Sequence, residues 1–163
     1  MTSAVVIGAG PGIGLAVARR FAREGFALAL VGRNKETVTG VADSLEGVRA
    51  LPLVADSSDE VALTAAAHTA PGMAERGHGT FVVTGGMPEP KPEYVSLSLG
   101  KAGVRALVDL LDRQYGPSGV HVATVTVSGP VAPGTAWDPD EIAEQYWRLH
   151  TQPRAEWERE IVV

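Results

Sequence analysis

The chain has 163 residues, 45% of them hydrophobic, enough for one globular core and too few for a separate substrate domain. It has no cysteine and a formal net charge of -5, which excludes disulfides, thiolate nucleophiles and cysteine-ligated zinc, and offers no basic face to nucleic acid. With no basic N-terminal region ahead of a long apolar segment, and no apolar run long enough to span a bilayer, the sequence predicts a soluble, cytoplasmic protein without a membrane partner.

Short apolar runs alternate with helical periodicity along the chain, the pattern of a doubly wound parallel α/β sheet. The run 4–7 opens into a glycine-rich turn, after which Ile13, Val17 and Phe21 recur every four residues on one helix face that ends near Gly25. A strand follows at 27–31. Val38, Val41, Ala42 and Leu45 mark a second amphipathic helix closed by Gly47, and 50–55 is the third strand. An alanine-rich helix is predicted from Asp59 to about Ala70, where Pro71 and Gly72 stop it, with a fourth strand at 80–83. Pro88, Pro90 and Pro92 make the stretch between Gly85 and Gly100 an irregular loop. The clearest helix carries Val104, Leu107, Val108, Leu111 and Tyr115 and ends at Gly116-Pro117. The β-branched run 120–127 reads as a buried strand. Asp138 is the predicted cap of a last helix, with Pro139 in the first turn and Glu141 at capping-box spacing. Ile142, Tyr146 and Leu149 face inward, and 161–163 closes as a short strand. No repeat or linker interrupts the pattern, so one domain over 1–163 is expected.

The sharpest chemical signal is Gly8-Ala9-Gly10-Pro11-Gly12-Ile13-Gly14. A buried strand delivers the chain to the sheet edge, glycines allow a tight turn, and the helix that follows points free N–H groups at an anion. The general dinucleotide register needs glycine at 8, 10 and 13, and Ile13 breaks it. Gly8, Gly12 and Gly14 instead stand in the spacing G-x-x-x-G-x-G, with Gly10 and Ile13 inside the same turn.

That spacing resembles the cofactor turn of the short-chain dehydrogenase/reductase family, and the resemblance extends over nearly the whole chain. It implies a Rossmann-like sheet of about five to six strands, and a nicotinamide cofactor used in hydride transfer at a carbonyl or hydroxyl group of a small-molecule substrate. After the second strand the chain reads Gly32-Arg33-Asn34. Glycine replaces the acid that would accept the ribose hydroxyls of NAD, and Arg33 suits a 2′-phosphate, so NADP(H) is favoured over NAD(H). Asp56 matches the family's contact to the adenine amino group and also suits a helix cap. Ser98-Leu99-Gly100-Lys101-Ala102-Gly103-Val104 resembles the active-site helix, with Lys101 on the family's lysine. Thr84, thirteen residues before position 97, takes the family's serine position. Ser128-Gly129-Pro130-Val131 resembles the segment over the nicotinamide, with Ser128 replacing a proline.

The departures concern catalysis. Position 97, where the family has its proton-donating tyrosine, is Leu97, which has no proton to give. Tyr94 lies about two turns from Lys101, roughly 10 Å along a helix, and Ser96 and Ser98 flank the proper position. The interval from Asp56 to Thr84 lacks a strand–helix unit of roughly 30 residues. A single crossover helix is expected to bring 80–83 beside 4–7 and reline the crevice with Thr84, Gly85 and Gly86. If that edge stays open, homo-oligomerisation is favoured. The four histidines, His68, His78, His121 and His150, show no metal-ligand spacing, and Trp137, Trp147 and Trp157 read as packing residues. Three readings remain: an NADP(H)-dependent oxidoreductase, an NADP(H)-binding sensor or partner subunit without turnover, and a truncated remnant that serves only association.

Overall fold

A computed structural model describes residues 3–54 and 60–163, with side chains from 67 onward in the second stretch. Contacts divide the chain into two compact units, residues 1–58 with 131–147, and residues 59–130 with 148–163.

The first unit holds β1 (Ser3–Ile7), α1 (Ile13–Arg23), β2 (Ala27–Gly32), α2 (Lys35–Asp43), β3 (Ala50–Val54) and residues 139–147 of α5 (Pro139–Thr151). Its sheet is parallel in the order β1-β2-β3, with Val5 beside Ala29 and Ala29 beside Leu51. Strand alternation separates two faces. Val6, Leu28 and Leu30 are buried, and Gly32, on the same face, lies against Val38 of α2; Val5, Ile7, Leu51 and Leu53 on the other face are exposed. α1 ends as its sequence predicts, at Gly25 with φ 78°. Gly25 N–H donates to Ala22 O and Phe26 N–H to Phe21 O, a Schellman closure whose hydrophobic contact is the edge-on Phe21–Phe26 pair at 5.3 Å. Trp147 meets both rings edge-on, and the Arg20 guanidinium lies over Trp147 at 4.6 Å while pairing with Glu24 and Glu144.

The second unit holds α3 (Glu60–Arg76), β4 (Gly79–Gly86), α4 (Val95–Tyr115), β5 (Val120–Val127), the last turn of α5 and β6 (Glu160–Val162). The three strands are parallel in the order β4-β5-β6. Every residue of β5 is buried, as its β-branched run predicts for a central strand covered on both faces. Val108 and Leu111 of α4 pack on Val120 and Val122, with Met73, Phe81 and Val83 around them. His121, 2% exposed, lies between the carbonyls of Leu149 and Glu158 at 2.9 and 2.8 Å and stacks on Trp157 at 4.6 Å. His150 Nδ1 meets Thr80 Oγ1 at 3.0 Å. Among the described residues no group of side chains is placed to hold a metal, and no helix is long and apolar enough to cross a membrane.

Two expectations are corrected. The helix expected to stop at Pro71 runs through it to Arg76. Proline forfeits a hydrogen bond there, at a cost of about 3 kcal/mol in a helix interior, but the next turn packs Met73 and Ala74 on the core. Gly77, at φ 73°, then closes the helix through Gly77 N–H to Ala74 O and His78 N–H to Met73 O. α4 begins at Val95, nine residues before Val104, so the irregular stretch is confined to the residues before it. The six expected strands are present, in two parallel sheets of three: β1 takes its register from β2, and β4 runs eight residues beside β5. Asp138 caps the last helix as expected, its carboxylate accepting from Asp140 N–H at 2.8 Å and from Glu141 N–H.

Candidate functional site

The glycine turn lies in the first unit. Gly8 has φ 83°, and its N–H and that of Ala9 both donate to Val31 O, at 2.8 and 2.9 Å, which ties the turn to the end of β2. Gly10 N–H returns to Gly8 O at 2.8 Å, and Gly10 O accepts from Leu15 N–H at 2.9 Å. A Cβ on Gly14 would sit 2.3 Å from Gly8 O and 2.9 Å from Ala9 Cα, so only glycine lets α1 start this close to the turn. Gly10 and Gly12 face open space instead. α1 has neither a side-chain cap nor an acid in its first turn, so the N–H groups around Ile13 and Gly14 keep no internal partner. Two glycines thus hold the turn together, and two leave a bare backbone surface at the positive end of a helix. This cradle fits a dinucleotide pyrophosphate.

At the end of β2, a Cβ on Gly32 would sit 2.6 Å from Val38 Cγ2, so no side chain enters there unless Val38 shifts. Arg33 is exposed and takes no partner among the described residues. Asn34 caps α2, its Oδ1 accepting from Thr37 N–H at 3.1 Å. Asp56 lies outside the described residues.

The second unit carries Thr84, Lys101 and Gly129. Thr84 is exposed near the end of β4, two residues before Gly86 and therefore on the same strand face. The half-buried Lys101 stem lies along Gly86, its Cε 3.3 Å from where a Cβ on that glycine would be. Thr84 and the glycine that seats the lysine stem thus share one strand face, two residues apart. Leu97 is 50% exposed and Tyr94, just ahead of α4, is 57% exposed. Ser98 is no substitute for the missing tyrosine: its buried hydroxyl donates to Lys91 O at 3.1 Å and accepts from Lys91 N–H at 3.0 Å. Gly129 is half-buried, next to Ser128, whose N–H and Oγ both donate to Val163 O. Arg105 was not a candidate on sequence grounds. Its Nη1 reaches Gly86 O and Met87 O at 3.4 and 3.3 Å, and partners that are backbone carbonyls leave no sequence signature.

The short chain dehydrogenase family model matches residues 2–76. Galactitol 2-dehydrogenase (L-tagatose-forming) of Cereibacter sphaeroides is 34% identical over 109 residues, which cover 67% of this chain and 35% of that protein, about a third of the relative's length. A crystal structure of a short-chain dehydrogenase from Rhodopseudomonas palustris is similar with a TM-score of 0.84 at 23% identity, covering 99% of this chain and 97% of that one. A short-chain dehydrogenase from Sphingobium yanoikuyae in complex with NADPH has a TM-score of 0.79 at 21% identity, covering 100% of this chain and 87% of that one. The structural likenesses bear on the fold, and the family match falls on the glycine turn itself. The chain belongs to the short-chain dehydrogenase/reductase family, in a shortened form with leucine in place of the active-site tyrosine.

Proposed function

We propose that this chain binds NADP(H) in preference to NAD(H) and acts as a short-chain oxidoreductase on a carbonyl, hydroxyl or related group of a small molecule. The glycine turn carries the proposal: the bare backbone at Gly10 and Gly12 and the uncapped start of α1 suit a pyrophosphate. Gly8 and Gly14 hold that turn, Ile13 begins the helix, and Arg33 supplies a permanent cation for a 2′-phosphate. Asn34 and Asp56 flank the adenosine side by resemblance, as Gly129 flanks the nicotinamide side. When bound, the cofactor supplies or accepts hydride. Lys101 holds the cofactor ribose, and the Thr84 hydroxyl orients a substrate carbonyl. The proton comes from water, Thr84 or the substrate, since Leu97 has none.

A second reading is supported by Leu97 and by the engagement of Ser98 with Lys91: an NADP(H)-binding sensor or partner subunit without turnover. We further propose a cytoplasmic protein that engages neither nucleic acid nor membrane and forms homo-oligomers. Paired titration with NADPH and NADH is the test. Saturable binding that is tighter for NADPH supports the proposal, and tighter NADH binding refutes the role of Arg33. NADPH oxidation against a panel of carbonyl compounds separates the oxidoreductase from the silent binder.

A further inference from the structure

The strand end against which Lys101 rests is itself held from α4. Arg105 stands one helical turn beyond Lys101 and places Nη1 at 3.4 Å from Gly86 O and 3.3 Å from Met87 O. Met87 has φ 49° and is the one non-glycine residue with positive φ among the described residues, a conformation that a side chain disfavours. A guanidinium is always charged and presents several donors in one plane, so it can hold two successive carbonyls turned the same way. Gly86 is buried and lies against the Lys101 stem, so the exit of β4 and the lysine share one seat. The far end of the loop is pinned as well, by the paired hydrogen bonds between Ser98 and the Lys91 backbone. Pro88 and Pro90 stiffen the residues between the two pins.

We propose that Arg105 is a positioning residue: by holding Gly86 and Met87 in this conformation it sets the seat that aims the Lys101 ammonium. The significance of that aim rests on the cofactor role assigned to Lys101 above, but the seat itself is testable without cofactor. The chain has three lysines, Lys35, Lys91 and Lys101, of which only Lys101 is half-buried. Reductive dimethylation with ¹³C-formaldehyde therefore gives three lysine signals beside that of the N-terminal amine, and a Lys101→Arg variant assigns the one of interest.

In the unaltered chain the Lys101 signal stands apart from the other two. Arg105→Met moves it toward them, and Arg105→Met with Met87→Gly, which removes the conformational penalty at 87, brings it back. Arg105→Lys gives an intermediate position and serves if Arg105→Met fails to fold. An unmoved Lys101 signal in folded Arg105→Met or Arg105→Lys overturns the proposal. In NADPH titrations Arg105→Met weakens binding about three- to tenfold, and adds nothing in a Lys101→Ala background, as expected of coupled residues. Additive losses overturn it too. If the unaltered chain does not bind NADPH while Arg105→Met still moves the Lys101 signal, the cofactor reading falls and the positioning role stands.

Discussion

A Cβ added at Gly14 would meet the Gly8 carbonyl oxygen at 2.3 Å, whereas one added at Gly86 would meet the Lys101 Cε at 3.3 Å. In the first case backbone opposes backbone and nothing can yield. In the second the neighbour is the far end of a flexible side chain, which moves a few tenths of an ångström. The glycine turn is therefore rigid, each of its close approaches fixed by the main chain. The strand-end region around Lys101 is adjustable, and it is there that the sequence departs from its family.

The largest expected effect tests the rigid half. Gly14→Ala should cost about 3 kcal/mol or more, as overpacking against main chain does, and should abolish saturable NADPH binding; urea denaturation and NADPH fluorescence read the two effects. A variant with near-native stability and affinity would break the comparison. Next comes the adjustable half: Leu97→Tyr restores an acid four residues before Lys101, at a side chain 50% exposed. It should fold like the parent and raise NADPH-dependent carbonyl reduction by about 100-fold, the low end of general-acid catalysis. No rise across a carbonyl panel would mean that the tyrosine is not what this site lacks.

Arg33→Glu should weaken NADPH binding about tenfold, some 1.4 kcal/mol, while leaving NADH affinity little changed. Equal losses for both cofactors would remove the 2′-phosphate contact. The smallest effect is one of pH. Folding lowers the His150 value below 6.5, first through burial and then through the electrostatic influence of His121. The unfolded chain therefore takes up the proton first as the pH falls. Stability from this group is complete above the unfolded value and declines as pH falls through the folded one. His150→Gln should flatten that decline in urea midpoints measured between pH 7 and pH 5, a span set by the ordinary histidine range.

Elements whose signals lie in consecutive residues were legible. The strand 120–127 carries an unbroken β-branched run, Phe21 recurs at helical spacing just before Gly25, and Asp138 stands at a helix start; each is observed where the sequence places it. The start of α4 was not legible because Val95, Leu97 and Leu99 recur every second residue, which is no helical stripe, and all three are exposed. Pro71 misled because packing of Met73 and Ala74 outweighs a local penalty. Within the candidate site, the glycine register and the loss of the tyrosine were plain. The engagement of Ser98 with Lys91 was not, since a serine hydroxyl gives no hint of which backbone it will meet.

From the amino-acid sequence alone came the phosphate-cradle register at Gly8, Gly12 and Gly14, the alternation of strands and helices, and the absence of a proton donor at Leu97. These are local matters, because dihedral preference and side-chain chemistry reside in neighbouring residues. Only the tertiary structure decided that β4 takes its register from β5, that Gly119 must be glycine because Gly77 O would lie 2.1 Å from its Cβ, and that Arg105 holds Gly86 and Met87. Each of these joins groups far apart in the chain through hydrogen bonds or close packing to the main chain, and the main chain is the same at every residue, so sequence carries no mark of which part of it will be met.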